Sequence, residues 1–249
     1  MLEWRNKGNG NFGYDFRWGK RRQAQQGTGT LVSEDGKIID VCSPTKQQAG
    51  TSQAMEGFCA SILFKRAKER KMEINNLVTD KCSAISPRLL HFFPNAEQVF
   101  DPGHRGKSLE KKIQSLSSTY KGLRGFASKV KAHYLTTIRL YKGKPLLWKN
   151  AFLEGFDHWI GTCSKFEWCH EPTKTVDDIP SQQALAEVMS EYADESYLVA
   201  HGFHTCFNES INSTYAEFIP KGKYYKIYYD IGISLTVVSR NEGKQGINY

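Results

Sequence analysis

At 249 residues, 39% hydrophobic and 12% aromatic, the chain is long enough to bury one elaborated core or two small ones and too apolar for wholesale disorder. Its formal net charge of +8 favours a polyanionic partner, DNA or RNA first, because each phosphate neutralised by Lys or Arg releases condensed counterions. No run of about 18 apolar residues offers a membrane span, the opening Met1-Leu-Glu-Trp-Arg-Asn-Lys lacks the apolar core of a secretory leader, and six scattered cysteines suit reduced thiols better than a disulfide scaffold.

The expected protein is therefore neither membrane-bound nor secreted, but nuclear in a eukaryote and cytoplasmic otherwise. Residues 11–17, 29–33 and 37–42 read as three extended segments. The turn Glu34-Asp-Gly36 joins the last two, since Asp-Gly readily supplies positive φ, so the chain opens with an antiparallel meander. Thr51 or Ser52 can cap a following helix, with Glu56 in its first turns and Met55, Phe58, Ile62 and Leu63 at helical spacing for packing on the sheet. Residues 75–79 predict a fourth strand, 87–93 a short helix and 98–100 a fifth strand. The order β-β-β-α-β-α-β is that of an α/β, ribonuclease H-like fold, a mixed five-stranded sheet with helices on both faces.

From residue 106 to 197 the pattern turns helical, over 107–116, 123–140 and 181–192, with breaks at Lys142-Gly-Lys-Pro145 and around 172–180. This divides the chain into a first core part at 1–105, a helical insertion at 106–197 and a C-terminal core part at 198–249. The segment 224–238 is ambiguous between strand and helix on periodicity alone.

Two acids close predicted strands: Asp15 in Asn11-Phe-Gly-Tyr-Asp-Phe-Arg-Trp18, and Asp80 after Asn76-Leu-Val-Thr. A third, Glu209, lies in Phe207-Asn-Glu-Ser-Ile-Asn212, where a helix could present it. Hard divalent ions prefer oxygen ligands, and two such ions about 3.5–4 Å apart serve phosphodiester chemistry by activating the attacking oxygen and stabilising the leaving one. If the first and fourth strands are neighbours, Asp15 and Asp80 share one sheet edge. The competing reading is that strand ends commonly carry solvated Asp.

Taken together, Tyr14-Asp-Phe-Arg-Trp-Gly-Lys-Arg-Arg22, Gly50-Thr-Ser-Gln-Ala-Met-Glu56, Val78-Thr-Asp80, Asp101-Pro-Gly-His104 and Asn208-Glu-Ser-Ile-Asn212 resemble the Mutator-like group of DDE transposases over residues 11 to about 243. The resemblance implies a ribonuclease H-like core, as in retroviral integrases, with a largely helical insertion between the second Asp and the Glu; 128 residues separate Asp80 from Glu209 here. It implies that Asp15, Asp80 and Glu209 bind two Mg2+ or Mn2+ ions, that hydrolysis is followed by strand transfer, and that the segment 224–238 is helical. It implies further that His104, in the family's Cys-or-Asp, x2, His element, contacts the scissile phosphate or nearby backbone, with Asp101, Arg105 and Lys107 beside it. Trp18, Lys20, Arg21 and Arg22 would hold phosphates, a solvated charge run being the competing reading.

Partners implied are transposon-end and target DNA, held by a homo-oligomer. A stretch of the insertion, Phe156 to His170, also resembles a Cys- and His-bearing part of the family. Its His158, Cys163, Cys169 and His170 offer nitrogen and sulfur donors for a structural Zn2+. Against this, five residues separate the cysteines, Cys169 adjoins His170, and ordinary packing remains open. The family usually carries a DNA-binding module ahead of the first Asp, whereas 14 residues precede Asp15, an expectation of a trimmed or truncated catalytic core. A decayed, non-cutting relative and a simple metal-dependent nuclease are the alternatives.

Overall fold

The computed structural model describes residues 10–19, 23–162, 175–202, 206–221, 225 and 228–243. In chain order these form β1 (Gly10–Trp18), β2 (Gly27–Ser33), β3 (Ile38–Cys42), α1 (Lys46–Ala49), α2 (Ala54–Glu69), β4 (Ile74–Thr79), α3 (Ser86–Phe92) and β5 (Glu97–Phe100). There follow α4 (Pro102–Leu116), α5 (Ala127–Leu140), α6 (Pro145–Trp159), α7 (Ile179–Ala193), α8 (Ser196–Val199), α9 (Cys206–Phe218) and α10 (Tyr229–Glu242). Two compact units result, Met1–Val99 with His204–Tyr249, and Phe100–Phe203.

The first unit is α/β, with a mixed five-stranded sheet in the order β3-β2-β1-β4-β5. β2 pairs antiparallel with both β1 and β3, and β4 runs parallel to β1. The β2–β3 turn forms at Asp35-Gly36, where Gly36 has φ +81°, a left-handed conformation that glycine adopts without a Cβ clash. Alternation along β1 sorts its side chains. Phe12, Tyr14 and Phe16 enter a core with Leu31 and α2 residues Met55, Leu63 and Phe64. On the opposite face, Val32 and Ile38 bury against Ile211, Tyr215 and Ile219 from α9 and its end, and Ile233 of α10.

Arg17 belongs to that second face and is 3% exposed. Its Nη2 donates to the Ile219 carbonyl at 2.6 Å, and the guanidinium lies 5.7 Å from the Tyr215 ring centre. Burial pulls its pKa below the usual arginine range, an effect that the surrounding Tyr229, Tyr215 and Tyr225 phenols oppose. An Arg17→Met substitution would leave the Ile219 carbonyl without that donor; the expected cost is about 1.5–3 kcal/mol, the range of hydrogen bonds to charged groups, read as a lower denaturant midpoint.

Strand ends fall within a residue or two of expectation, but α2 begins at Ala54 rather than directly after Thr51 or Ser52. Thr51 still contributes, because its Oγ1 accepts from the Ala54 amide at 3.1 Å. In the segment left ambiguous by periodicity, residues 229–238 belong to helix α10.

From Pro102 on, the described secondary-structure elements of the second unit are all helices. It starts at Phe100, six residues before the predicted insertion, because α4 begins at Pro102 immediately after β5, with Asp101 accepting from the His104 amide at 3.0 Å as its N-cap. Its centre is aromatic. The Trp148 and Phe152 rings stack 5.5 Å apart, and Tyr134 meets them edge-on at 5.4 and 5.3 Å. Among the described residues no helix is long and apolar enough to cross a membrane.

Candidate active site

β1 and β4 run in the same direction with Gly13 facing Val78. Asp15 lies two residues beyond Gly13 on β1, and Asp80 two beyond Val78, just past the end of β4. They line a cleft of about 410 Å3, together with Glu56, Trp18, Lys81 and Cys82. Gln98 of β5 braces the floor: its Nε2 donates to Thr79 Oγ1 at 2.7 Å, while that hydroxyl donates to the Asp80 carbonyl at 2.7 Å.

Asp15 is held at both oxygens. Oδ1 accepts from the Phe16 amide at 2.8 Å, and Oδ2 accepts from Asn212 Nδ2 at 2.5 Å. Asn212 reaches it because α9 lies on β1, with Asn208 one turn earlier against Gly13. A Cβ at position 13 would lie 3.1 Å from Asn208 Nδ2, so the glycine admits the helix at this approach.

Glu209 stands in the first turn of α9, one turn before Asn212, with its side chain exposed. It does not line the cleft. The third carboxylate there is Glu56, from the first turn of α2, a residue that the sequence placed near a helix start and at the end of a family-like motif, with no site role. Its backbone carbonyl accepts from Tyr14 Oη at 3.0 Å. Burial, and then the neighbouring Asp15 and Asp80 carboxylates, push the Glu56 pKa above the ordinary 4.5, while a hydrogen bond with Cys82 opposes the rise. Among the described residues, no three His, Cys, Asp or Glu side chains converge as a ready-made metal shell.

The raised Glu56 pKa has a definite sign. Its folded-state value lies above the unfolded one, so its contribution to stability is fully present below the unfolded pKa and is lost as pH rises through the folded value. Melting curves of wild type and Glu56→Gln across pH 4 to 8 should therefore show the wild type losing ground to the variant through and above that window. A constant difference at every pH would contradict this.

The remaining expected site residues are distributed as follows. Trp18 lines the cleft and packs edge-on against Phe16 at 4.7 Å. Lys20, Arg21 and Arg22 lie outside the described residues. Asp101, His104, Arg105 and Lys107 belong to the helical unit, on or beside α4. Arg105, expected among the DNA-contacting residues, is 7% exposed; its Nη2 pairs with Glu195 Oε2 at 2.6 Å, and its guanidinium lies 4.4 Å from the Tyr192 ring centre. That places it as an interior tie between α4 and the end of α7. His158 is half-buried on α6, whereas Cys163, Cys169 and His170 lie outside the described residues.

No protein-family model matches this chain, and no curated protein matches it.

Proposed function

We propose that the chain is the catalytic domain of a Mutator-like DDE transposase, which cuts DNA phosphodiester bonds with divalent metal and joins the freed ends to target DNA. The observation that carries this reading is that Asp15 of β1 and Asp80, just past the end of the parallel neighbour β4, line one cleft. The strand order, with the antiparallel β1-β2-β3 meander followed by β4 against β1, supports the ribonuclease H-like form of the α/β fold. The positive net charge suits a DNA partner.

Asp15 and Asp80 would hold Mg2+ or Mn2+, with a third carboxylate from Glu209 or Glu56. Two such ions would supply an activated oxygen nucleophile and a stabilised leaving oxygen. The chain's own part is orientation. Asn212 fixes the rotation of the Asp15 carboxylate, and α9, seated through Asn208 and Asn212, carries Glu209 within one helical turn of that contact. Outer partners of metal-binding groups typically change metal affinity about 10–100-fold. Asn212→Ala should accordingly weaken Mn2+ binding, followed by electron paramagnetic resonance, by roughly tenfold or more.

One observation favours a second reading. Glu209 stands exposed on α9 and not in the wall of the cleft, which suits a decayed relative that binds DNA without cutting it. Incubating the chain with element-end DNA and Mg2+ or Mn2+ separates the readings. Cleaved and joined products support a transposase, cleavage without joining a nuclease on the same fold, and retention without cleavage the decayed relative.

A further inference from the structure

Behind the sheet, on the face covered by α2, two cysteines meet at a glycine. Gly29 of β2 faces Cys42 of β3. A Cβ built on Gly29 would lie 2.3 Å from the Cys59 sulfur, so Cys59 of α2 fills the space that a side chain at position 29 would take. Side chains facing each other across antiparallel strands have Cβ atoms about 4.5–5.5 Å apart, which sets the Cys59 sulfur beside the Cys42 side chain. The Cys59 thiol donates to the Cys42 carbonyl at 3.3 Å, and both cysteines are reduced.

We propose that Cys42 and Cys59 form a peroxide-sensitive dithiol, in which Cys42 is oxidised first and Cys59 then closes a disulfide joining β3 to α2. The two thiols differ in the way such a pair requires. Cys42, itself buried at 8% exposure, forms part of the wall of a cleft of about 390 Å3, beside Phe58, Ile62 and Arg66, whereas Cys59 has no exposed surface. The neighbouring Cys59 thiol, and then the Arg66 charge, lower the Cys42 pKa against the opposing effects of burial and Asp40. Burial pushes the Cys59 thiol well above its usual range, so it is the proton donor of the pair.

The chemistry balances with hydrogen peroxide as the oxidant. The Cys42 thiolate attacks one peroxide oxygen, the O–O bond breaks, and the departing hydroxide takes up the proton that Cys42 has given up, leaving a sulfenic acid and one water. The Cys59 sulfur then attacks the Cys42 sulfur, the S–O bond breaks, and the hydroxyl leaves with the Cys59 proton as a second water. Two thiols are oxidised to one disulfide, and one peroxide is reduced to two waters. Cys82 lies apart from this pair, in the carboxylate cleft beside Glu56, and burial raises its pKa; it serves as the internal comparison.

Trypsin should place the two cysteines in different peptides, residues 38–46 and 47–65. The full chain is exposed to hydrogen peroxide, free thiols are alkylated under denaturation, and the digest is analysed by mass spectrometry. The expected product is the 38–46 to 47–65 cross-link, lost on reduction with dithiothreitol. In Cys59→Ser the cross-link should be absent and the sulfenic acid trapper dimedone should mark Cys42. A wild-type time course with dimedone keeps the test decisive if that variant misfolds, since Cys42 should be marked before the cross-link accumulates. The inference is overturned if both thiols remain alkylatable, if Cys82 is oxidised while this pair stays reduced, or if dimedone marks Cys59 first.

Discussion

Asp80→Asn is expected to lower Mg2+-dependent DNA cleavage about a thousandfold while leaving the fold intact. The estimate follows from the several kcal/mol of charge stabilisation that bound metal gives phosphoryl transfer, with about 1.4 kcal/mol per factor of ten. Asp80 follows the last residue of β4 and is exposed. Its stability change should fall within about 0.5 kcal/mol, as for surface substitutions generally. Cleavage rates measured alongside circular dichroism melts check both halves. A large activity loss with an unchanged melt is the signature of a residue at the chemistry, whereas equal cleavage by variant and wild type would remove Asp80 from it.

The largest stability effect should come from the other unit. Trp148 has no exposed surface, stacks on Phe152 and receives the Tyr134 edge, so Trp148→Ala empties the middle of the helical core. Large-to-small changes of this kind cost about 3–5 kcal/mol through lost transfer energy and the cavity left behind. For a unit of this size that is a fall in Tm on the order of 15 °C or more. Circular dichroism at 222 nm is the suitable probe, since the substitution removes a fluorophore. A transition within a degree or two of wild type would show that the aromatic cluster does not hold this unit together.

Much of the sheet was legible because its signals are local. Alternation marked β1, Asp35-Gly36 marked the hairpin, and the apolar spacing marked α2, although of its four apolar residues Met55 and Leu63 enter the core, Ile62 is partly buried and Phe58 stays exposed. The adjacency of Asp15 and Asp80 followed from one topological expectation, that the fourth strand runs beside the first. Helix α6 was the miss with a local cue, since Lys144-Pro145 places proline at a helix start, where its missing N–H costs nothing.

The rest of the site is tertiary. Glu56 enters the cleft because α2 crosses the sheet with its first turn near the ends of β1 and β4, a placement that no short window encodes. The Asn212 bond to Asp15 joins residues 197 apart, and the helix carrying it passes close to position 13, where a Cβ would crowd the Asn208 side chain. Arg105 shows the opposite difficulty. A basic residue beside a family-like motif suggested DNA, yet burial and the Glu195 partner give it an interior place.

Anomalous scattering from crystals of the chain soaked in Mn2+ locates any bound ion directly and tests the carboxylate cleft as a metal centre. The account predicts peaks within coordination distance of both Asp15 and Asp80, with the third carboxylate identified as Glu209 or Glu56 by its contact. Mn2+ bound only elsewhere, or none at the cleft when the protein is saturated, would contradict it.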